Sequence, residues 1–218
     1  MSKVNLIGIT KPCIEGVSTA EELIAYTARV SNPSNQMNKE TAPKLVKYLM
    51  DHEHWSPLEM VHICMEIETT RDIARQIIRH RSFSFQEFSQ RYADVSTLDG
   101  GGLFEYREAR LQDHKNRQNS HETGNPEVIV SWNQVQEDVR KAAEKGYEKA
   151  LELGIAKEQA RVLLPEGITK SRLYMSGSFR SWYHYCKLRM GNGTQKEHME
   201  VATKCWEVLK EQFPDIII

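Results

Sequence analysis

The chain has 218 residues, of which 39% are hydrophobic and 27% are charged, an ordinary composition for a folded globular protein. Its 29 basic and 30 acidic residues give a net charge of -1, which excludes a nucleic-acid-binding protein that works through a bulk basic surplus. No stretch approaches the roughly 18 apolar residues that a membrane helix needs. We therefore expect neither a nucleic-acid nor a membrane partner, although a local anion site remains open.

The cysteines and the first residues indicate where the protein works. No two of the four cysteines form a C-x-x-C pair, so we expect reduced thiols. The first ten residues contain no apolar run long enough for a signal peptide, and a cytoplasmic location is the expectation. The cysteines are Cys13, Cys64, Cys186 and Cys205.

The N-terminal third predicts a strand followed by two helices. Residues 4–9 are apolar and bounded by turn residues, which is typical of a strand. Ser18, with Glu21 three residues later, predicts a capping box at the start of a helix. Residues 41–52 predict a second helix with Pro43 in its first turn. The first helix is expected to bury Leu23, Ile24, Tyr26 and Val30.

A polar and aromatic loop at residues 52–59 leads into a strand at residues 60–69. In that strand the apolar residues fall on one face and polar residues on the other, as expected for a half-buried strand. The histidines around it could suggest a metal site, but no standard zinc spacing is present and we expect no metal. These histidines are His52, His54 and His62, with Cys64 nearby; the apolar face is Val61, Ile63, Met65 and Ile67.

Residues 71–80 predict a helix that carries a basic stripe. Arg71, Arg75 and Arg79 are spaced four apart on one face, where like charges repel slightly. For Arg71 and Arg75 we favour a solvated basic face. Residues 79–92 continue the charge into three Phe, a Tyr and three Ser, so that one segment joins donors suited to phosphate oxygens with flat faces suited to a ring. We expect this segment to bind a ligand.

The second half of the chain is expected to be mostly helical. Gly100, Gly101 and Gly102 match no phosphate-loop motif and predict a flexible connection. A strand is expected at residues 104–109, an exposed loop or fraying helix end at 114–125, and helices at 126–153 and 156–164. The long helix is expected to turn one face inward, formed by Val128, Trp132, Val135, Val139, Ala142, Ala143 and Tyr147.

The last elements complete the expected fold. Residues 170–178 alternate like a strand, residues 179–189 form an aromatic helix that also carries cations, and residues 195–213 form the last helix. No repeat or linker is visible, so residues 1–218 are expected to form a single domain. The fold class is α/β (α+β), with a mixed or antiparallel sheet flanked by helices and a long helix in the C-terminal half.

The central segment resembles the signature of one enzyme family. Arg79-His80-Arg81, followed after seven residues by Ser89, with Glu87 before it and Arg91-Tyr92 after it, resembles the flavin-dependent thymidylate synthases. The residues at 28–31, 54–59, 160–165 and 188–197 also resemble elements of that family, in the same order. The resemblance implies an enzyme that makes dTMP from dUMP. It further implies methylenetetrahydrofolate as carbon donor, FAD reduced by NADPH as hydride source, and a homotetramer with shared active sites.

The resemblance also implies roles for individual residues. The catalytic residues would be Arg189, credited with activating the uracil ring, and His54. The flavin would be held by Ser31, Ser56, Glu59, Arg79, His80, Arg81, Glu87, Ser178, Arg180 and His184. The nucleotide would be held by Gln76, Arg79, Glu87, Phe88, Ser89, Gln90, Arg91, Arg161 and Arg189. The family usually has Asn where this chain has Gln86, Ser178 and His184, and all three replacements keep hydrogen-bonding ability.

Two alternatives remain open from the residues. One is a non-catalytic nucleotide or RNA-binding module that uses the Arg and aromatic segment as a stacking platform, although the near-neutral charge counts against it. The other concerns Ser89, which invites the role of nucleophile. A serine needs a neighbouring base to be activated, and no hydrolase-like order of acid, His and Ser is visible. We therefore expect Ser89 to bind phosphate or sugar.

Overall fold

A four-stranded antiparallel sheet lies at the centre of the protein, which we describe from a computed structural model over residues 2–98 and 102–217. The strand order is β1-β2-β6-β3, and each neighbouring pair is antiparallel. A separate two-stranded hairpin joins β4 to β5. The strands of the described residues are β1 Lys3–Ile9, β2 His62–Thr70, β3 Ser84–Glu87, β4 Arg110–Gln112, β5 Ser120–Glu122 and β6 Lys170–Ser178.

Several of the helices pack against this sheet, among them the helix that follows β2 and the last two helices of the chain. In the described part of the chain they are α1 Ala20–Ala28, α2 Ala42–Asp51, α3 Arg71–Ile77, α4 Pro126–Glu152, α5 Lys157–Ala160, α6 Phe179–Arg189 and α7 Lys196–Gln212. Short 3₁₀ helices lie at Pro33–Asn35, Ser56–Glu59, Val95–Thr97 and Arg161–Leu163. The antiparallel sheet with flanking helices, and the long helix α4, confirm the expected fold class.

The pairing of β2 with β6 forms the main core. The register runs from His62 opposite Ser178 to Thr70 opposite Lys170. Alternate residues of both strands are buried, because successive side chains of a strand point to opposite faces. The period-two pattern predicted this face correctly. The buried face is formed by Ile63, Met65, Ile67, Leu173 and Met175, and α6 and α7 add Phe179, Trp182, Tyr185 and Phe213 to the same core.

Several helix ends differ from the sequence expectation. The capping box of α1 is formed by Thr19 and Glu22, one residue later than predicted, because the Thr19 hydroxyl accepts from the Glu22 N–H at 3.1 Å. Val30 lies beyond the end of α1 and is 70% exposed instead of buried. α3 ends at Ile77, three residues early, so Arg79 lies outside the helix that carries Arg71 and Arg75.

The second half contains the larger corrections. α4 was expected to turn an apolar face inward, but within the described structure Tyr147 is the member of that face that is buried, while Val135 and Val139 are 53% and 46% exposed. The expected strand at 104–109 is reduced to one bridge between Phe104 and Thr169. The expected helix at 156–164 is divided between α5 and a 3₁₀ turn. The stretch at 114–125 contains β5, and Gly100 and Gly101 lie outside the described residues.

Two further observations concern the chain as a whole. The four cysteines are free thiols, with Cys186 and Cys205 buried in the core. Across residues 2–98 and 102–217, no helix combines the length and the apolar character that crossing a membrane requires.

Candidate functional site

The segment after α3 is held in place by one buried ring. Phe83 packs edge-on against Trp182, with ring centroids 4.9 Å apart, and its N–H donates to the His80 carbonyl at 3.3 Å. β3 follows at once and pairs with β6, so Ser84 lies opposite Ser176. The turn from His80 to Phe83 is therefore tied to the central strand of the sheet. The side chains of Arg79 and Arg81 emerge from this turn into solvent.

The C-terminal end of α6 brings Arg189 to the same turn. The Arg189 Nε–H donates to Nε2 of His80 at 2.9 Å. Burial, and then the charge of Arg189, lower the pKa of His80 from its ordinary value of 6.5. A neutral imidazole accepts at one nitrogen only, which assigns the proton to Nδ1 of His80. The two terminal nitrogens of Arg189 make no hydrogen bond within the described structure, so its planar donor fork remains available for a ligand.

A buried polar chain lies beneath this pair. His198, on α7, is fully buried; its ring nitrogens lie 3.1 Å from the Tyr185 hydroxyl and 3.2 Å from Oε1 of Gln76. The Gln76 amide continues the chain to Gln195 and on to Glu197. The ring of Tyr185 stands edge-on to His80, with centroids 4.9 Å apart. The chain therefore includes Gln76 and ends at Tyr185, whose ring contacts the histidine that holds Arg189.

A second group forms where α6 begins. The Ser178 hydroxyl accepts from the Ser181 N–H at 3.2 Å and caps the helix. Arg180 forms an ion pair with Glu59, and the ring of His184 stands edge-on to Trp55 at 4.4 Å. Burial, and then the charge of Arg180, lower the pKa of His184. Four of the expected flavin residues thus lie on or beside the first half of α6: Glu59, Ser178, Arg180 and His184.

Exposed donors complete the expected flavin set. Arg79 and Arg81 form no hydrogen bond or ion pair with any other residue that the structure describes, and both are exposed. Ser31, His54 and Ser56 are also exposed, and Ser56 begins the 3₁₀ turn that carries Glu59. Two uncommitted guanidinium groups beside polar side chains fit the two phosphates of a dinucleotide such as FAD.

A third group lies at the other end of β3. Glu87 accepts from the Ser171 hydroxyl at 2.8 Å and pairs with Arg71 at 3.5 Å. A cavity of about 360 Å³ nearby contains Gln90 and Arg161 in its lining. Arg91 reaches Glu158, another residue of that lining, at 3.3 Å. Two expected nucleotide residues, Gln90 and Arg161, therefore line one cavity. Glu87 and Arg91 each pair with another residue of that lining, and Phe88 and Ser89 lie between Glu87 and Gln90 along the chain.

The two basic residues assigned to a solvated face differ from each other in exposure. Arg71 is largely buried and paired with Glu87, and Arg75 donates to Glu166 at 2.8 Å. Both belong to the lining of the cavity that holds Gln90 and Arg161. Because each cation faces a carboxylate, the helix tolerates the like charges that its sequence spacing places side by side. The solvated-face interpretation is wrong for Arg71.

The structure does not place all expected site residues around one opening. The cavity with Gln90 and Arg161 includes none of Arg79, His80 and Arg189 in its lining. His198 was missed from the sequence altogether. The available signal was a histidine on the face of α7 that also carries Val201 and Cys205, a pattern far more common for an ordinary core histidine.

The buried Gln90 amide has an unsatisfied donor, which indicates that a ligand completes this site. Gln90 is 4% exposed, and its Nε2 has no hydrogen-bond partner among the described residues. A buried donor without a partner is costly, and such donors are uncommon in folded proteins. Its position in the lining of the cavity with Arg161 marks that cavity as a place for an acceptor that the isolated chain does not supply.

Comparisons with known proteins agree with this geometry. A family model described as thymidylate synthase complementing protein matches residues 14–215. The chain is 51% identical over 211 residues to a protein named "Probable flavin-dependent thymidylate synthase" from Paramecium bursaria Chlorella virus 1, covering 97% of this chain and 95% of the relative. It is 46% identical over 216 residues to the flavin-dependent thymidylate synthase of Synechocystis sp., covering 98% and 96%.

A solved structure shares the fold. The UMP/dUMP methylase PolB from Streptomyces cacaoi, bound with 5-Br dUMP, superposes with a TM-score of 0.81, covering 99% of this chain and 93% of that one. At 23% identity this likeness concerns the fold alone. The family match over almost the whole chain, together with the two relatives of similar length, decides the assignment: this chain belongs to the flavin-dependent thymidylate synthases.

Proposed function

We propose that this chain, acting as a single domain over residues 1–218, converts dUMP to dTMP, with methylenetetrahydrofolate giving the carbon and NADPH reducing the bound FAD. The family membership and the signature at residues 79–92 support this proposal. When bound, the flavin supplies the hydride, and the protein supplies position and electric field. The stacking-module alternative loses support, because the relatives that match almost the whole chain are named as enzymes.

The observation that carries the proposal is the fixed fork of Arg189. Its Nε–H is committed to a neutral His80, which sets the plane of the guanidinium and leaves the terminal N–H groups for a ligand. A uracil ring becomes more reactive at carbon when negative charge on its carbonyl oxygens is stabilised. A preorganised cation at those oxygens stabilises that anionic form, an electrostatic role like that of an oxyanion hole.

Ser89 would bind the phosphate or sugar and would not attack the ring. The nearest histidine in sequence is His80, and its Nε2 already accepts from Arg189, so it is not available as a base for a serine. Arg161 lines the cavity that contains Gln90, the residue after Ser89, and Arg91 pairs with Glu158 of the same lining. Arginine suits phosphate oxygens. Glu87, Phe88 and Gln90 would shape the same site.

The flavin residues would act as two sets. Arg79 and Arg81 would bind the phosphates, while Glu59, Arg180 and His184 would fix polar contacts at the start of α6. The neutral state of His184 suits a hydrogen bond to an uncharged flavin atom as donor or acceptor. Ser31, His54, Ser56, His80 and Ser178 complete the proposed set, with His54 serving the flavin-dependent steps.

An Arg189→Ala variant tests the proposal. The purified protein should be yellow, and with dUMP, methylenetetrahydrofolate and NADPH it should form dTMP. Arg189→Ala should lose about a hundredfold or more in turnover, as expected for one lost preorganised donor. Its flavin should still be reduced by NADPH, because that half-reaction does not need an activated uracil. Arg117→Ala, at an exposed arginine of the hairpin, serves as control and should keep full turnover.

The result that would contradict the proposal is specific. A colourless protein that binds no flavin, or a wild-type enzyme that forms no dTMP under these conditions, would refute it. If Arg189→Ala kept nearly normal turnover, the proposed reaction would stand, but Arg189 would not be the residue that activates the uracil. Single-turnover measurements separate this case from slow product release.

We also propose a homotetramer whose active sites are shared between chains. Two observations support it: the nucleotide cavity excludes Arg79, His80 and Arg189, and α4 exposes an apolar stripe. The stripe is formed by Val128, Trp132, Val135, Val139 and Ala142, at spacings of four and three residues. This spacing is that of helices that pack against a partner helix.

A further inference from the structure

The hydrogen bonds around His198 have one direction, and Glu197 sets it. Glu197 accepts from Arg110 at 2.6 Å and lies 3.4 Å from Arg107. Burial acts to raise the pKa of Glu197, but the hydrogen bond from Arg110 and the charge of Arg107 outweigh it and hold the pKa below its usual value. Glu197 is therefore an ionised acceptor, and the Gln195 atom 2.9 Å from it must be the amide nitrogen.

The orientation of the Gln195 amide determines that of the Gln76 amide. Since the Gln195 nitrogen faces Glu197, its oxygen faces Gln76, and the contact at 2.7 Å requires a donor from Gln76. The Nε2 group of Gln76 supplies that donor. The Oε1 atom of Gln76 then faces inward, towards His198 at 3.2 Å.

The same logic fixes the tautomer of His198. An amide oxygen only accepts, so Nδ1 of His198 carries the proton that it donates to Gln76. The Nε2 atom is then an acceptor and receives the hydroxyl proton of Tyr185 at 3.1 Å. Tyr185, His198, Gln76 and Gln195 thus each donate to the next residue in a chain that ends on the Glu197 carboxylate.

We propose that His198 is a positioning residue for the nucleotide: it locks the Gln76 amide so that its remaining N–H faces the ligand and meets an acceptor oxygen of dUMP. An amide nitrogen has two hydrogens, and Gln195 takes one of them. The hydrogen bond from His198 to the Gln76 oxygen keeps the amide in this orientation. This inference rests on the proposed function and adds how the chain sets the donor character of Gln76.

The burial of His198 argues against a purely apolar role. The side chain is fully buried in a helix that otherwise turns Val201, Ala202 and Cys205 towards the core. A leucine would fill such a place without the cost of burying a polar ring. The imidazole is instead satisfied at both nitrogens, by one residue that touches His80 and one that the proposal places at the ligand.

The test compares His198→Leu with His198→Asn. Leucine removes the donor to Gln76, whereas the amide N–H of asparagine restores a donor near the position of Nδ1. We expect His198→Leu to raise the dissociation constant of dUMP by about tenfold, as expected for the loss of one hydrogen bond. Turnover at saturating dUMP and flavin content should stay within about twofold of wild type. His198→Asn should recover most of the affinity.

A matched control and a coupling test separate positioning from general damage. Val201→Ala, at a buried apolar position of the same helix, lowers stability through loss of packing alone and should keep dUMP affinity. In a Gln76→Leu background, His198→Leu should weaken dUMP binding no further, because the two residues act as a unit. An additional loss in that background would show a merely structural effect and overturn the inference.

The remaining outcomes are also decisive. If His198→Leu does not fold, His198→Phe keeps a ring at the buried position and still removes the donor to Gln76, and the same loss of affinity is expected. Wild-type affinity in either folded variant would overturn the inference while the enzyme activity stands. A wild-type protein that binds no dUMP would refute the proposed function itself.

Discussion

Two neutral histidines lie near Arg189, and the neutral state of His80 lets that ring accept the hydrogen bond of the arginine. His80 accepts from Arg189, and His198 lies behind it in the core. Burial, and then the charges of Arg189 and His80, lower the pKa of His198 from 6.5 to about 3. A protonated imidazole at either position would place a second cation beside the guanidinium. The site therefore depends on both rings remaining neutral, each with a single proton on Nδ1.

His198 should make the protein less stable in acid. The unfolded chain takes up this proton near pH 6.5 and the folded chain only near pH 3, so stability falls as the pH drops through that window. The slope from one such group is at most about 1.4 kcal/mol per pH unit. Above pH 6.5 the contribution is complete and constant.

Urea unfolding at pH 7.5, 6.5 and 5.5 checks this expectation, at one protein concentration throughout. His198→Asn should lose less stability than wild type between pH 6.5 and 5.5, because His80 titrates in both proteins and its effect cancels. Parallel losses in the two proteins would show that His198 does not carry the acid sensitivity.

At the scale of elements, the packing of the turn after α3 against β6 positions the signature segment at residues 79–92. A Cβ on Gly177 of β6 would lie 2.5 Å from the ring of Phe83, closer than carbon atoms pack. The glycine thus leaves the space into which Phe83 fits. Because Phe83 anchors the turn that begins at His80, the fit of one ring against one strand decides where His80 meets Arg189.

Gly177→Ala should therefore destabilise the protein by about 1–3 kcal/mol, the usual cost of overpacking a core. It should also weaken flavin and dUMP binding, because Phe83 must shift and the turn shifts with it. Urea unfolding and ligand titration measure the two effects. Adding Phe83→Leu to Gly177→Ala should recover part of the stability.

Gly8→Ala is the matched control, in strand β1 with no atom within 4 Å of the added carbon. It should be close to neutral for stability and binding. If Gly177→Ala were as harmless as Gly8→Ala, the proposed anchoring of the turn by Phe83 would be incorrect.

At the scale of the whole molecule, the proposed tetramer rests on the apolar stripe of α4. Its residues continue onto the 3₁₀ turn at Arg161–Leu163, where Val162 is 83% exposed. An apolar cavity of about 440 Å³ joins the two, with Val139, Ala142 and Leu163 in its lining. Exposed contiguous apolar surface of this kind marks an interaction site in most soluble proteins.

Val135→Glu should dissociate the tetramer and release flavin, since a charge buried at an apolar interface is not compensated. The monomer should remain folded, because Val135 is largely exposed within a single chain. Sedimentation and flavin absorbance measure both effects, and circular dichroism measures the fold. Glu148→Lys changes charge on the opposite side of α4 and should leave the assembly intact. A stable wild-type monomer that retains full FAD would contradict the shared-site proposal.

The sequence by itself determined the elements with strong periodic signals. The alternation in β2 and β6, the helix α6 and the length of α4 all follow from side-chain periodicity, which local geometry imposes. The family was also readable, because the signature at residues 79–92 is continuous in the chain. Helix ends were less accurate, as for Ser18 and Thr19, where neighbouring residues have nearly equal capping ability.

Only the tertiary structure decided which distant residues meet. The contact of Arg189 with His80 joins residues that are 109 positions apart, and that of Gln76 with His198 joins residues 122 apart. No local pattern encodes such pairs, because they depend on the antiparallel order of the sheet and on the packing of α6 against α7. The inward face predicted for α4 failed for a related reason: periodicity shows that a face is apolar, but the partner that covers it is set by packing.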